Sequence, residues 1–251
     1  MNRRAFIATG LSIAATACVP TAGSQTVSPR RIKSRPPKTP TAGKVLPAGL
    51  QGLGLGGLRD GYLYVPEGHT AERPLPLLVL LHGATGSATN FFGLYGKRAE
   101  DAKFIILAPD SRGSTWDIAL GGYDDVAFID RALASVFQKC AIHPQKIAIA
   151  GHSDGASYAL TLGLTNGDLF DHIVAYSPGF LGGVEQHGTP KIFVAHGTED
   201  TILPIDNASR RIVPQLRRAG YDVDYREFRG GHRTPPEIAD AGMSWLRAAY
   251  G

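Results

Sequence analysis

A chain of 251 residues, 43% hydrophobic and 19% charged, has the composition of an ordinary soluble protein and room for one sizeable α/β domain with a tail. Its formal charge of +4 is unevenly spread: eight of the 26 Lys and Arg precede residue 45, where there is no Asp or Glu, leaving 18 basic against 22 acidic residues beyond it. That mildly acidic body argues against a phosphate-neutralising surface, so no nucleic-acid partner is expected.

In chain order, Arg3 and Arg4, an apolar run over 5–19 and small residues near its end read as an export signal occupying residues 1–18. The run is too short for a membrane span. Asn2-Arg3-Arg4-Ala5-Phe6-Ile7 resembles a twin-arginine signal, and Ala15-Thr16-Ala17-Cys18 resembles a bacterial lipobox. Cys18 is therefore either a lipid-attachment residue, tethering the protein to a membrane, or one more small residue of the signal. An exported location is expected: periplasmic, secreted or lipid-anchored at the bacterial envelope. Residues 19–44, rich in Pro, Ser, Thr and basic side chains, read as a flexible tether. Residues 45–251 read as the single catalytic domain. Its one cysteine, Cys140, excludes an internal disulfide there and is expected to be a buried thiol.

Gly52-Leu53-Gly54-Leu55-Gly56-Gly57 has dinucleotide-fingerprint spacing, but a strand-like segment at 61–65 follows where a helix should open. It reads as a glycine-rich lead-in, and no cofactor is expected. Short apolar runs rich in Val and Ile at 75–81, 104–108, 146–150, 172–176, 191–195 and 223–228 predict strands. Helix-like stretches alternate with them at 88–101, 124–139, 155–166, 206–219 and 236–250. In the second, Val126, Ile129, Leu133, Val136 and Phe137 share one face. Pro214 is expected to kink the fourth. Strands buried on both faces and separated by helices predict an α/β fold, with a mostly parallel central sheet and helices on both faces.

The run Gly151-His152-Ser153-Asp154-Gly155 falls between a predicted strand and a predicted helix. A serine hydroxyl needs a neighbouring base to become a nucleophile, and a sharp strand-to-helix turn exposes it. The flanking glycines are expected where a Cβ would strike the adjacent strand or helix. An acid and a histidine should follow in that chain order, each after a later strand. Asp200 follows the strand at 191–195, and His232 follows the one at 223–228. Glu199 competes for the acid role, with Asp200 favoured by its position. His82, His152 and His196 also lie near strand ends. The first and third are expected to bond loop backbone and His152 to line the turn, and no metal site is expected. The backbone N–H groups of Asp154 and of Ala84, in Leu81-His82-Gly83-Ala84-Thr85-Gly86, are the expected oxyanion donors.

These residues resemble the α/β-hydrolase superfamily. Over about 58–249 the likeness narrows to its carboxylesterase branch of phospholipase/carboxylesterases, feruloyl esterases and polyhydroxybutyrate depolymerase-like proteins. It is carried by Pro76-Leu77-Leu78-Val79-Leu80-Leu81-His82-Gly83, Asp124-Asp125-Val126, the serine turn, His196-Gly197-Thr198-Glu199-Asp200 and Gly231-His232. Asp154 and Ala156 replace the Asn and Gly more usual in the depolymerase-like pattern, so substrate identity does not carry across.

The resemblance implies a serine carboxylesterase acting through a Ser-His-Asp triad and an acyl-enzyme, on a small-molecule or polymeric ester. An acyltransferase or peptidase with the same triad, or a non-catalytic binding protein on a hydrolase scaffold, are the alternatives; no protein partner is implied. The segment 177–189 is too short for a cap domain, so an open cleft is expected. Trp116 and Tyr123 either line it or pack under a loop.

Overall fold

A computed structural model describes residues 28, 30–37, 46–117, 121–183 and 185–251. The expected export signal, Cys18 included, lies outside the described residues. Among those described, no helix is long and apolar enough to cross a membrane.

The alternation of apolar runs and amphipathic stretches resolves into eight strands and five α-helices among the described residues, with short 3-10 turns at Ala88–Phe91 and Ile205–Asn207. In chain order they are β1 (Gly49–Gly52), β2 (Gly61–Val65), β3 (Leu75–Leu81), α1 (Phe92–Ala102), β4 (Ile105–Pro109), α2 (Asp124–Lys139), β5 (Ile142–His152), α3 (Asp154–Thr165), β6 (His172–Tyr176), β7 (Lys191–Gly197), α4 (Ser209–Arg218), β8 (Val223–Phe228) and α5 (Pro236–Tyr250). One sheet takes the order β1-β2-β4-β3-β5-β6-β7-β8. The first two strands are antiparallel to their neighbours, and the other six run parallel. This is the α/β architecture, a mostly parallel sheet with helices on both faces, that the sequence predicts.

Strand alternation divides the core between the two faces. Leu77, Val79 and Leu81 of β3 point into a cluster with α2, α3 and α4, among them the predicted face Val126, Ile129, Leu133, Val136 and Phe137. Leu78 and Leu80 point the other way, to Tyr95 and Ala99 of α1 and Met243 and Leu246 of α5. Cys140 is buried, and burial pushes its thiol up to about 11.

Three features depart from the sequence reading. The tether is not free where it is described: Ile32 is 2% exposed, its N–H donates to Asn166 Oδ1 at 2.8 Å, and Arg31 forks onto both oxygens of Asp168. One buried apolar side chain and a set of ion pairs hold a segment whose composition alone gives it no core. The predicted helix at 206–219 breaks at Ala208 (φ −117°, ψ −107°), not at Pro214, which sits inside α4 as that helix runs from Ser209 to Arg218. The glycine-rich lead-in also yields β1 and the turn after it, where Gly54 and Leu55 N–H groups donate to the Asp60 carboxylate.

Candidate active site

The chain order reverses at β3: the connection from β3 leads outward to β4, and β5 returns to its other side. In open α/β sheets the crevice at such a reversal, beyond the carboxyl ends of the strands, is where ligands bind. Here β5 delivers Ser153, β3 delivers His82 and Gly83, and the loops after β7 and β8 deliver Asp200 and His232.

Ser153 caps the N-terminus of α3 with φ 59° and ψ −121°, a strained backbone for any side chain but glycine. The turn is possible because its flanks lack side chains: a Cβ on Gly151 would lie 2.2 Å from Gly155 O, and one on Gly155 2.3 Å from Leu81 O. Ser153 N–H donates to Tyr176 O of β6, and Ser157 N–H to Ser153 O, so the turn is held by both layers. Ser157 Oγ also accepts from Gly179 and Phe180 N–H, fastening the short segment after β6 directly onto α3.

Ser153 Oγ lies 2.7 Å from His232 Nε2, and His232 Nδ1 lies 2.6 Å from Asp200 Oδ2. With Nδ1–H donating to the carboxylate, Nε2 is left as the acceptor for the serine hydroxyl. Asp200 Oδ1 accepts from the Ile202 and Leu203 amides. Burial pushes the Asp200 carboxyl up, but the bonds from His232 and those amides outweigh it and hold it below the ordinary carboxylate value. Glu199 faces solvent and pairs with Arg229 at 2.9 Å. Two backbone bonds, Thr198 N–H to Phe228 O and Glu199 N–H to Gly230 O, fix the acid loop against the histidine loop.

Three more histidines, His82, His152 and His196, pack around these residues. His196 Nε2–H donates to Leu203 O at 2.9 Å and lies 3.1 Å from Asp200 Oδ2, while Nδ1 accepts from Ser209 Oγ. Its contact with the acid goes beyond the loop bonding expected of it, and the turn after β7, closed by Asp200 N–H to Gly197 O, brings it there. His82 Nδ1–H donates to Gly83 O, and Nε2 accepts from Ser111 N–H. Burial pushes both below the ordinary imidazole value. His152 packs on His232 with ring centroids 4.9 Å apart and bonds Thr234 Oγ1 through Nδ1. Burial, and then the neighbouring His232, bring its pKa down to about 4.

Among the described residues, neither Ala84 N–H nor Asp154 N–H finds an acceptor. The loop around Ala84 is held by Gly86 N–H to Gly83 O and Thr85 N–H to Ser114 O, and a Cβ on Gly83 would lie 3.4 Å from Ser153 Cβ. Asp154 N–H opens α3, where unpaired amides and the helix dipole favour negative charge. The Asp154 carboxylate accepts from Thr115 Oγ1 and, at 3.0 Å, from Trp116 N–H, tying that loop to the serine turn.

Trp116 does not line the cleft. It is fully buried, stacked on Tyr158 at 5.0 Å, and its indole N–H donates to His82 O. Of the two expected placements it takes the second, packing under a loop, where the ring finds apolar cover and an acceptor. Tyr123 is exposed at the start of α2 and lines a separate cavity with Arg31 and Val126. The cleft that His232 opens onto, about 450 Å³, is lined instead by Ala84, Asn90, Phe91, Leu94, His152 and Arg233, among others. Among the described residues no group of three His, Cys, Asp or Glu side chains is placed to hold a metal.

Residues 54–236 match the Esterase family, described as "Putative esterase". Among curated proteins, the chain is 27% identical over 150 residues to "Probable acetylxylan esterase A" of Aspergillus clavatus, covering 54% of this chain and 48% of that protein. It is 32% identical over 121 residues to "Acetylxylan esterase" of Coprinopsis cinerea, covering 43% of this chain and 32% of that one. The chain thus spans half or less of the length of these relatives. Among solved structures, the fluorophosphonate-binding serine hydrolase F of Staphylococcus aureus superposes with a TM-score of 0.65 at 18% identity, covering 80% of this chain and 99% of that one. The chain belongs to the esterase family, on the α/β-hydrolase fold.

Proposed function

We propose that this protein is an exported serine carboxylesterase that hydrolyses carboxylic esters through Ser153, His232 and Asp200. The observation that carries the reading is the unbroken chain of short contacts from Ser153 Oγ to His232 at 2.7 Å and on to Asp200 at 2.6 Å. His232 Nε2 takes the hydroxyl proton as Ser153 Oγ bonds to the acyl carbon. The tetrahedral oxyanion then receives the free N–H groups of Ala84 and Asp154. Collapse breaks the bond to the alcohol oxygen, which takes the proton back from His232, and a water repeats the sequence to release the acid. Asp200 orients the imidazole and stabilises its cation.

The relatives named acetylxylan esterases favour a short acyl group on a polymeric alcohol. The short, directly fastened segment after β6 supports an uncapped cleft open to such a chain. Export rests on the signal-like residues 1–18, with Cys18 as the candidate lipid attachment. An intact mass of the exported protein tests that attachment.

Replacing Ser153 with Ala tests the mechanism. Release of nitrophenol from 4-nitrophenyl acetate should fall by at least about a thousandfold, with an unchanged circular dichroism spectrum. Activity retained in the folded variant overturns the assignment.

A further inference from the structure

The leaving alcohol oxygen must sit within hydrogen-bond reach of His232 Nε2, because that atom returns the proton. The alcohol portion therefore occupies the cleft that His232 opens onto. This inference rests on the esterase reading above and concerns the chemistry of that alcohol.

Arg233 follows the histidine directly and lines the same cleft. Its neighbour in sequence Arg229 is neutralised by Glu199, and Arg226 by Asp224. Among the described residues the Arg233 side chain has neither a carboxylate within salt-bridge distance nor a hydrogen-bond acceptor; only its backbone N–H is engaged, with Gly231 O. Across the cleft, Asn90 spends its Oδ1 on the Ser87 N–H, which leaves its Nδ2 donors unused. His152 beside them is held neutral, and none of the residues lining the cleft is acidic. The cleft thus presents a planar cation and an amide donor, both exposed to solvent, with no carboxylate beside them among the described residues. A guanidinium with free edges matches a carboxylate in two parallel bonds.

We propose that Arg233 selects esters whose alcohol portion carries a carboxylate, with Asn90 Nδ2 as the second donor to that group. The anion pairs with Arg233 in both the bound ester and the transition state, so the effect falls on KM rather than kcat. After the acyl group passes to Ser153 and His232 protonates the alkoxide, the product that departs is a hydroxy acid.

The test compares 3-acetoxybenzoate with its neutral isostere 3-acetoxybenzamide, each kcat/KM divided by that ester's hydroxide-catalysed rate. The native protein should favour the carboxylate by about fivefold, the upper worth of one solvent-exposed ion pair, and mainly through KM. Salt at 0.5 M should shrink the ratio, Arg233→Gln should bring it to about one, and Arg233→Lys should keep part of it. A corrected ratio near one in the native protein, or a ratio that Arg233→Gln leaves intact, overturns this inference alone. Failure to turn over either ester or 4-nitrophenyl acetate overturns the esterase reading, and this inference with it.

Discussion

His196 Nε2 lies 3.1 Å from the same Asp200 oxygen that receives His232 Nδ1 at 2.6 Å, so two imidazoles converge on one buried carboxylate oxygen. His196 is wholly buried and also bonds Leu203 O and Ser209 Oγ, which makes it the rear support of the acid loop. His196→Ala should lower stability by about 2 kcal/mol, because it strands the Leu203 carbonyl and the Ser209 hydroxyl while Asp200 keeps His232. Urea unfolding measures that loss, and kcat should fall far less than when Asp200 itself is changed.

Asp200 and Glu199 are adjacent acids with opposite surroundings. Asp200→Asn should cost on the order of ten-thousandfold in kcat, the scale seen when a triad loses the group that sets its histidine tautomer. Glu199→Gln removes only an exposed pair with Arg229 and should stay within about twofold. Steady-state kinetics on 4-nitrophenyl acetate distinguishes the two, and equal losses would contradict the assignment of the acid.

His152 gives the fold a pH dependence with a definite sign. Its pKa is brought from 6.5 down to about 4 by burial and by His232, so between those values the unfolded chain binds the extra proton. Its contribution to stability is intact above pH 6.5 and is lost as pH falls toward 4, on the order of 3 kcal/mol in all. Urea titrations across that window should show the loss, and His152→Asn should flatten it.

Asp168 fastens the chain ahead of the domain. Hydrogen bonds from Arg31 and Arg35 hold its carboxyl well below the usual range. That fastening is present above the ordinary carboxylate value and weakens as pH falls below it. Asp168→Asn should raise amide exchange of residues 31–35 at neutral pH while leaving exchange in α3 beyond its last turn unchanged. Equal protection in the variant would show that Ile32 and Asn166 suffice.

Much of this arrangement is legible in the sequence because the parallel strands are buried on both faces and so read as unbroken Val, Ile and Leu runs. The serine turn is legible because sterics demand glycine at 151 and 155. What escapes is set by tertiary contact. Trp116 is apolar beside a reactive loop, and nothing local tells whether it faces the cleft or the core beneath it. Ile32 is one apolar residue in a Pro- and Arg-rich stretch, and its anchors Asn166 and Asp168 lie more than a hundred residues away. β1 has four residues, ends in glycine at both sides and lies at the sheet edge, so it carries almost no period-two signal. Arg233 stands beside the histidine in plain view, but that no described carboxylate pairs with it emerges only from the tertiary contacts.

The most direct test of the central claim is covalent. A fluorophosphonate reacts only with a serine that a neighbouring base activates, and it should add one phosphonyl group per chain, mapped by peptide mass to Ser153. Labelling should vanish in Ser153→Ala and nearly vanish in a folded His232→Ala variant. A native protein that takes up no label, or takes it up on another serine, would contradict the account.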